Sequence, residues 1–303
     1  MTLVDVLRVE NILGEGILWN HHTQMLWWTD IQARRLYRYD WHSKQMRQYA
    51  TPQRLGSFGF VDGDSLLIAA FESGIALYDP DSQRTEWLAR PIADTQQVRF
   101  NDGRVDRQGR FWAGTMIETP SQNGCANLYC VDHAGHAQQR KTGILISNGL
   151  CFSPDGAYLY FADSPRREIL RYPMLEPAGE LGTPQPFAST PAGADPDGSN
   201  VDADGFIWNA QWGAGRVVRY APDGQIDRVL TVPVTQPTCV AFGGPELNLL
   251  FVSSARQGLS AEQLQQQPDA GAVFVYDVGV SGLPEPHYRY NPNASNKTMV
   301  LPA

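Results

Sequence analysis

Six short apolar segments of this 303-residue chain open on a side chain that carries oxygen: Glu15, Ser57, Asn101, Asn148, Asp197 and Thr238. Four of these bear a carboxylate or a carboxamide. An apolar segment has no structural need to begin this way six times. Glu15, Asn148 and Asp197 offer two carboxylates and one amide oxygen, with no histidine or cysteine beside them in sequence. An all-oxygen set suits a hard divalent cation such as calcium, magnesium or manganese, and zinc also accepts carboxylate oxygens. Three protein ligands leave positions for water and a substrate, the arrangement of a metal site that does chemistry. The competing reading is that these side chains cap turns or bond to nearby backbone.

Bringing residues so far apart in sequence together requires a repeat. The clearest copy is Asn148-Gly149-Leu150-Cys151-Phe152, a Ser153-Pro154-Asp155-Gly156 turn, an aromatic-rich stretch over residues 158–163, and residues 168–172 ending in Tyr172. Five more copies begin at residues 14, 58, 101, 197 and 238, giving a period of roughly 40 to 50 residues, that of propeller blades. The spacing predicts an all-β chain: a single six-bladed β-propeller domain over 1–303, with four antiparallel strands per blade. Three strands per copy are plain. The fourth is expected in weaker outer segments such as 46–49 and 226–230. Residues 4–9 alternate apolar and polar and are expected to close the ring as an outer strand of the last blade, removing exposed edges. A linear solenoid would need atypical capping repeats, and none stands at either end. In a propeller the first strand of each blade lines a central channel, so the six oxygen-bearing starts become a ring around its mouth.

Other residues gain meaning from that frame. Arg99, in Arg99-Phe100-Asn101-Asp102-Gly103, is placed just outside the channel, where it binds a polar oxygen or pairs at the surface with Asp102 or Asp94. Asp106 and Asp202 fall in turns after first strands, which Asp-Gly turn chemistry explains; the alternative is support of the ligands. Trp27, Trp28, Trp112 and Trp208 lie on second strands and are expected between blades. The histidines, including the pairs His21-His22 and His133/His136, fall on turns or outer segments and read as surface residues. Residues 119–124 read as a polar turn. Residues 176–196, rich in Pro, Ala and Gly, are a candidate lid. Residues 260–267 read as a short helix capped by Ser260.

Composition excludes several classes. Net charge is -8 with no Lys/Arg block, which argues against nucleic-acid binding. No stretch approaches the roughly 20 apolar residues of a membrane span, and residues 1–10 lack the apolar run of a signal peptide. The cysteines Cys125, Cys130, Cys151 and Cys239 show neither CxxC pairing nor zinc spacing and read as buried free thiols. A cytoplasmic protein, monomeric or weakly self-associating, is the default expectation.

Taken in order, several motifs resemble one known family. They are Gly14-Glu15-Gly16, Arg99-Phe100-Asn101-Asp102-Gly103, Gly114-Thr115-Met116, Ser147-Asn148-Gly149-Leu150, Pro196-Asp197-Gly198, and a tail from Ala255-Arg256 and Gly258 through Gln267-Pro268 to Ala270-Gly271. Their order and spacing resemble the regucalcin–gluconolactonase family, which includes luciferin-regenerating enzyme. The resemblance spans nearly the whole chain. It implies a six-bladed propeller that hydrolyses sugar lactones with one divalent cation, calcium first, with zinc, magnesium or manganese as alternatives. It implies metal ligation by Glu15, Asn148 and Asp197, a base role for Asp197, and substrate contacts from Arg99 and Asn101. The acidic residue that touches sugar hydroxyls in some members falls at Glu118-Thr119, so Glu118 is carried as a substrate contact with Thr119 as the alternative. Gly16-Ile17 also departs from the family, which more usually has a small residue followed by Pro or Val. A phosphotriesterase on the same scaffold and a non-catalytic calcium-binding propeller are the remaining classes.

Overall fold

The computed structural model describes residues 1–92, 97–119 and 124–293. Six small antiparallel sheets form the blades. Their innermost strands are Gly14–Asn20, Leu55–Phe60, Val98–Val105, Ser147–Phe152, Asp195–Val201 and Pro237–Gly243. Each innermost strand packs against those of the two neighbouring blades, and the first meets the last, so the sheets form a closed ring. The expected six-bladed propeller is the observed fold.

The reason lies in what each strand buries. Innermost and second strands are sandwiched between neighbouring blades, so strands such as Leu67–Phe71 are buried at every position. That is why they read as continuous apolar runs rather than alternating ones. Outer strands such as Met46–Ala50 and Ile226–Thr231 face solvent and carry mostly polar side chains, hence their weak sequence signal. The apolar core divides into clusters that lie between blades. Trp208 packs with Phe242 across the fifth and sixth blades, Trp28 and Trp19 with Phe251 across the sixth and first, Trp27 with Phe58 across the first and second, and Trp112 with Phe152 across the third and fourth.

The ring is closed by the N-terminus. Thr2–Leu7 is the outer strand of the sixth blade and pairs antiparallel with Val273–Asp277, from Thr2 opposite Asp277 to Leu7 opposite Val273. It begins two residues before the expected 4–9, and Val9 packs against the interblade core instead. The short helix Ala261–Gln266 is capped by Ser260, whose side chain accepts from Gln263 N, as expected.

Four expectations need correction. Residues 176–196 are largely not a lid. Gln185–Ser189 is the outer strand of the fourth blade, and Glu180–Leu181 pairs with Met174 and Leu175. Glu176 is tied by a 2.6 Å ion pair to Arg110, beyond the far end of an innermost strand; only Asp195 and Pro196 reach the channel cavity. Cys125 is exposed, whereas Cys130, Cys151 and Cys239 are buried free thiols. The histidines are not all simple surface residues, because His21 and His287 are half-buried and converge with His22. Arg99 is buried, not a surface ion-pairing residue. Of the polar turn at 119–124, residues 120–123 lie outside the described residues.

The sequence also gave no hint of the strap formed by residues 278–293. It crosses the channel end opposite the strand starts. Ala203 N donates to Ser281 O at 2.9 Å, Tyr288 N to Phe60 O at 2.7 Å, and Arg289 N to Gly109 O at 2.9 Å. Beneath it, Arg104 Nε lies 3.5 Å from Glu285 Oε1, both side chains nearly buried.

Asp106 and Asp202 do the turn chemistry expected of them, and more. One oxygen of Asp106 accepts from Gln108 N and Arg110 N, and the other from Arg110 Nε at 2.6 Å and Trp112 Nε1 at 2.8 Å. Asp202 repeats this with Asp204 N, Phe206 N, Trp208 Nε1 and Arg219 Nε. Both sit at the strand ends away from the oxygen ring, so they do not support the ligands. Removing one charge of such a buried set strands its partners. Asp106→Asn is expected to destabilise the protein by about 3 kcal/mol, read from urea denaturation; a loss below about 1 kcal/mol would show that the charge is dispensable.

Candidate active site

Every innermost strand carries a β-bulge near its start, and the bulges aim the oxygen-bearing side chains. In the first blade Glu15 pairs with Thr29 and the next pairs join Leu18 with Trp27, three steps against two. The fourth blade does the same, from Asn148 opposite Ala162 to Cys151 opposite Tyr160. In both, the residue after the functional side chain is a glycine in the left-handed region: Gly16 at φ 57° and Gly149 at φ 68°. A side chain there would be strained, so glycine lets the strand kink. In the third and fifth blades the bulge begins one residue earlier relative to the functional side chain, after Phe100 and Pro196, so that Asn101 and Asp197 fall inside it. The six ring residues are therefore not strictly equivalent, as the repeat had suggested. Glu15, Asn101, Asn148 and Asp197 line one cavity. Thr238 instead bonds Gly14 O and Ser253 Oγ, and Ser57 packs under Gly103.

The segments leading into Glu15 and Asn148 are fixed by a common device that sequence reasoning missed. The second strands of those blades end in a buried aspartate. Asp30 accepts from Ile12 N and Leu13 N, and Asp163 from Leu145 N and Ile146 N. The Thr-Asp and Ala-Asp strand ends were visible in the repeat, but their partners were not.

Around the ligand candidates runs a chain of hydrogen bonds. Arg99 Nη1 donates to Asn101 Oδ1 at 2.8 Å, and Asn101 Nδ2 donates to Asn148 Oδ1 at 2.9 Å and Ser147 O at 2.9 Å. Asn148 Nδ2 donates to Ser164 Oγ at 2.8 Å, and that hydroxyl donates to Pro196 O at 2.8 Å. With its nitrogen held by Ser164, Asn148 presents its carbonyl oxygen to the cavity and keeps a lone pair free. Asn209 Nδ2 fixes the backbone of Asp197 by donating to its carbonyl at 2.7 Å. Ser164 and Asn209 escaped notice because neither opens a strand.

The electrostatics of this floor are unfavourable as it stands. Burial, then the charge of Asp102, push Glu15 up to about 8. Burial, then Glu15 and Asp102, push Asp197 well above the usual carboxylate range, and the two side chains are within hydrogen-bonding reach. Asp102 lies beneath them. Its oxygens accept from Gly103 N and Leu150 N, and burial raises it as well. Buried carboxylates this close cannot all ionise without a countercharge. Two carboxylates and an oriented amide oxygen fit a hard divalent cation.

Arg99 forms part of the wall. Burial lowers it to about 10, with Glu118 opposing the drop, so it keeps its charge at neutral pH. Its partner is not Asp102, and Asp94 lies outside the described residues; Arg99 Nε is instead 3.5 Å from Glu118 Oε1 without a hydrogen bond. Glu118 does not line the cavity. Both its oxygens are taken by Arg54, at 2.6 and 2.8 Å, so it stands behind Arg99 rather than facing the floor. Thr119 bonds Gln97 and does not line the cavity either. The cavity holds about 160 Å³, below the roughly 300 Å³ where drug-sized pockets begin. Leu13, Met116, Ile146 and Trp212 make its apolar side. A single small ring with polar substituents suits it.

Residues 13–256 match the family model described as the SMP-30/gluconolactonase/LRE-like region. A 6-deoxy-6-sulfogluconolactonase of Pseudomonas putida is 41% identical, over 94% of this chain and 98% of the relative. An L-arabinolactonase of Azospirillum brasilense is 38% identical, over 90% of this chain and 91% of the relative. The crystal structure of regucalcin from Agrobacterium tumefaciens, described as a calcium-binding protein, superposes with a TM-score of 0.89 at 32% identity, covering 95% of this chain and 98% of that one.

The raised carboxylates set a pH dependence with a definite sign. Glu15 binds its proton more tightly folded than unfolded, so its contribution to stability is full below its ordinary value of 4.5 and is lost as pH rises to about 8. Protein stripped of metal is expected to melt at progressively lower temperature over that window. Glu15→Gln, which removes one charge, should flatten the slope and melt above the wild type near pH 8. Parallel melting curves for the two proteins would show that the repulsion is not there.

Proposed function

The chain belongs to the SMP-30/gluconolactonase/LRE-like family, and from that premise we propose that it hydrolyses a sugar lactone to the aldonic acid at the channel floor, with one divalent cation held by Glu15, Asn148 and Asp197. The observation that carries this reading is the meeting of two unneutralised carboxylates and an oriented amide oxygen beneath a cavity the size of one small ring. The lactonases among its relatives supply the reaction class, a hydrolase acting on carboxylic ester bonds. Regucalcin's description as calcium-binding favours calcium for a floor built of oxygen donors. The cation, when bound, supplies positive charge that polarises an ester carbonyl and stabilises the oxyanion formed on attack.

The chain's own residues do the rest. Asp197, ionised once the countercharge is present, accepts a proton from the water that attacks the carbonyl carbon. The ring C–O bond then breaks, the ring oxygen takes a proton, and the product leaves as an open-chain hydroxy acid. Asn101 and Arg99 hold oxygens of the sugar. The unpaired Nε of Arg99 is a spare donor in a dry wall, and such a donor gains most from a substrate oxygen. Glu118 and Arg54 fix where Arg99 points, which makes Glu118 a positioning residue for that arginine. Leu13, Met116, Ile146 and Trp212 keep water off the apolar edge of the ring.

Asp197→Asn is expected to lower kcat/KM on aldonolactones by about 10³-fold or more. Chelation should abolish turnover, and calcium, zinc, magnesium or manganese added back should restore it to different extents. Side-by-side assays with five- and six-carbon lactones and a phosphotriester decide the reaction class: faster phosphotriester turnover, or no metal-dependent turnover at all, would defeat the reading. Glu118→Gln should raise KM about tenfold and leave kcat within a few-fold. A collapse of kcat at unchanged KM would place Glu118 on the reacting atoms instead.

A further inference from the structure

The far end of the channel holds a second group of possible ligands, chemically unlike the first. The turn after Gly14–Asn20 carries His21 and His22, and the strap brings His287 against them. Ring centroids are 3.8 Å apart for His21 and His22, 5.2 Å for His22 and His287, and 6.1 Å for His21 and His287. One ring nitrogen from each lies within 4.8 Å of the others. Glu15 and His21 are six positions apart along a bulged strand, at most roughly 20 Å at about 3.3 Å per residue, so this group is distinct from the oxygen floor.

The three imidazoles are held rather than loose. Asn20 Oδ1 accepts from His22 N and Thr23 N, and Gln24 Nε2 donates to His21 O, which braces the turn. The ring of His287 packs on Phe60 at 5.5 Å, and its neighbour Tyr288 donates its N–H to Phe60 O and accepts from Asp62 N, bridging parallel to Val61. His21 Nδ1 and His287 Nε2 are buried without a hydrogen-bond partner among the described residues. Buried polar atoms without partners need an explanation, and a bound ion is one. The three face a cavity of about 290 Å³ that Asp62 and Glu285 also line.

We propose that His21, His22 and His287 form a second metal site, for a borderline first-row cation of the zinc class, that fastens the strap to the first blade. Imidazole nitrogens favour zinc, nickel and copper, whereas calcium and magnesium favour the oxygen set of the channel floor. Zinc bonds imidazole at about 2.0–2.1 Å. The nitrogens must close by roughly an ångström to reach that geometry, within the reach of side-chain rotation, and the fourth position is left to water. Because His287 is far from His21 in sequence, one ion here joins the chain's last described segment to its first blade.

The two sites prefer different ions, so they can be read separately. The full-length protein is stripped of metal, saturated with calcium, and titrated with zinc by calorimetry, with bound metal counted after dialysis. Wild type is expected to take up one zinc per chain, with the melting temperature rising by roughly 5 °C at 100-fold excess over Kd. The Glu15→Gln/Asp197→Asn double variant should keep that zinc. His22→Gln, at an exposed position, and His287→Gln should each bind it at least tenfold more weakly while their lactone turnover in calcium stays at the wild-type level. No zinc uptake in calcium, equal uptake by the His287→Gln variant, or loss of the zinc in the channel double variant would each overturn the proposal.

Discussion

Glu15 and Asp197 are forced to face each other in a buried channel with Asp102 beneath them, and among the described residues none of the three has an ion-pair partner, although Arg99 offsets part of the charge. Left alone, like charges would move apart or draw in water. They are kept in place because their backbones belong to innermost strands with blades packed on both sides. A closed ring is a good device for this. No strand start can swing outward without unstacking two interblade cores, each built on large buried side chains such as Trp28, Trp112 and Trp208. The propeller thus holds the carboxylates together against their repulsion.

The aiming of the side chains is more local. A regular strand would send successive residues alternately into the channel and into the blade. The bulges break that alternation at the mouth, and the left-handed glycines Gly16 and Gly149 let two of the strands do so without strain. Asp30 and Asp163 then pin the incoming chain at Leu13 and Ile146, two residues before Glu15 and Asn148. Glu15 and Asn148 are in this sense twin products of one blade design. Asp197 and Asn101 come from a second version shifted by a residue. Around the mouth the order is carboxylate, amide, amide and carboxylate, and each version contributes one of each.

Much of this was legible in the sequence, for a physical reason. Blade repeats bury the same positions in every copy, so apolar runs, Asp-Gly turns and polar starts recur and can be counted. Residues whose roles depend on a neighbouring blade were harder to see. Ser164 matters because Asn148 and Pro196 come to meet it; Asp102 matters because it sits under two other carboxylates; Glu118 turned out to stand behind Arg99 because Arg54, from another blade, claims its carboxylate. The 176–196 segment was misread because Pro and Gly are as compatible with a hairpin at a blade's outer edge as with a lid. The strap was invisible for a related reason. Its contacts are mostly backbone hydrogen bonds to strand ends, and backbone bonding leaves little trace in side-chain pattern.

The division of labour inside the cavity follows from the same geometry. The floor is made by bulged strand starts, which the ring holds rigid. Much of the wall is made by what precedes or connects strands: Leu13, Ile146 and Gln257 come from such segments, and Met116 and Trp212 from the ends of second strands at the mouth. A change in those residues alters the shape of the cavity without moving Glu15, Asn148 or Asp197, because the floor's positions are set by interblade packing. A change in the floor moves charge in a place of low dielectric, where a displaced carboxylate costs several kcal/mol. The positions of the floor are therefore bound to the packing of the ring, whereas the shape of the rim rests on a few side chains. The least replaceable of these is Arg99, which belongs to both: it lines the wall and, through Asn101, holds the amide oxygen of the floor.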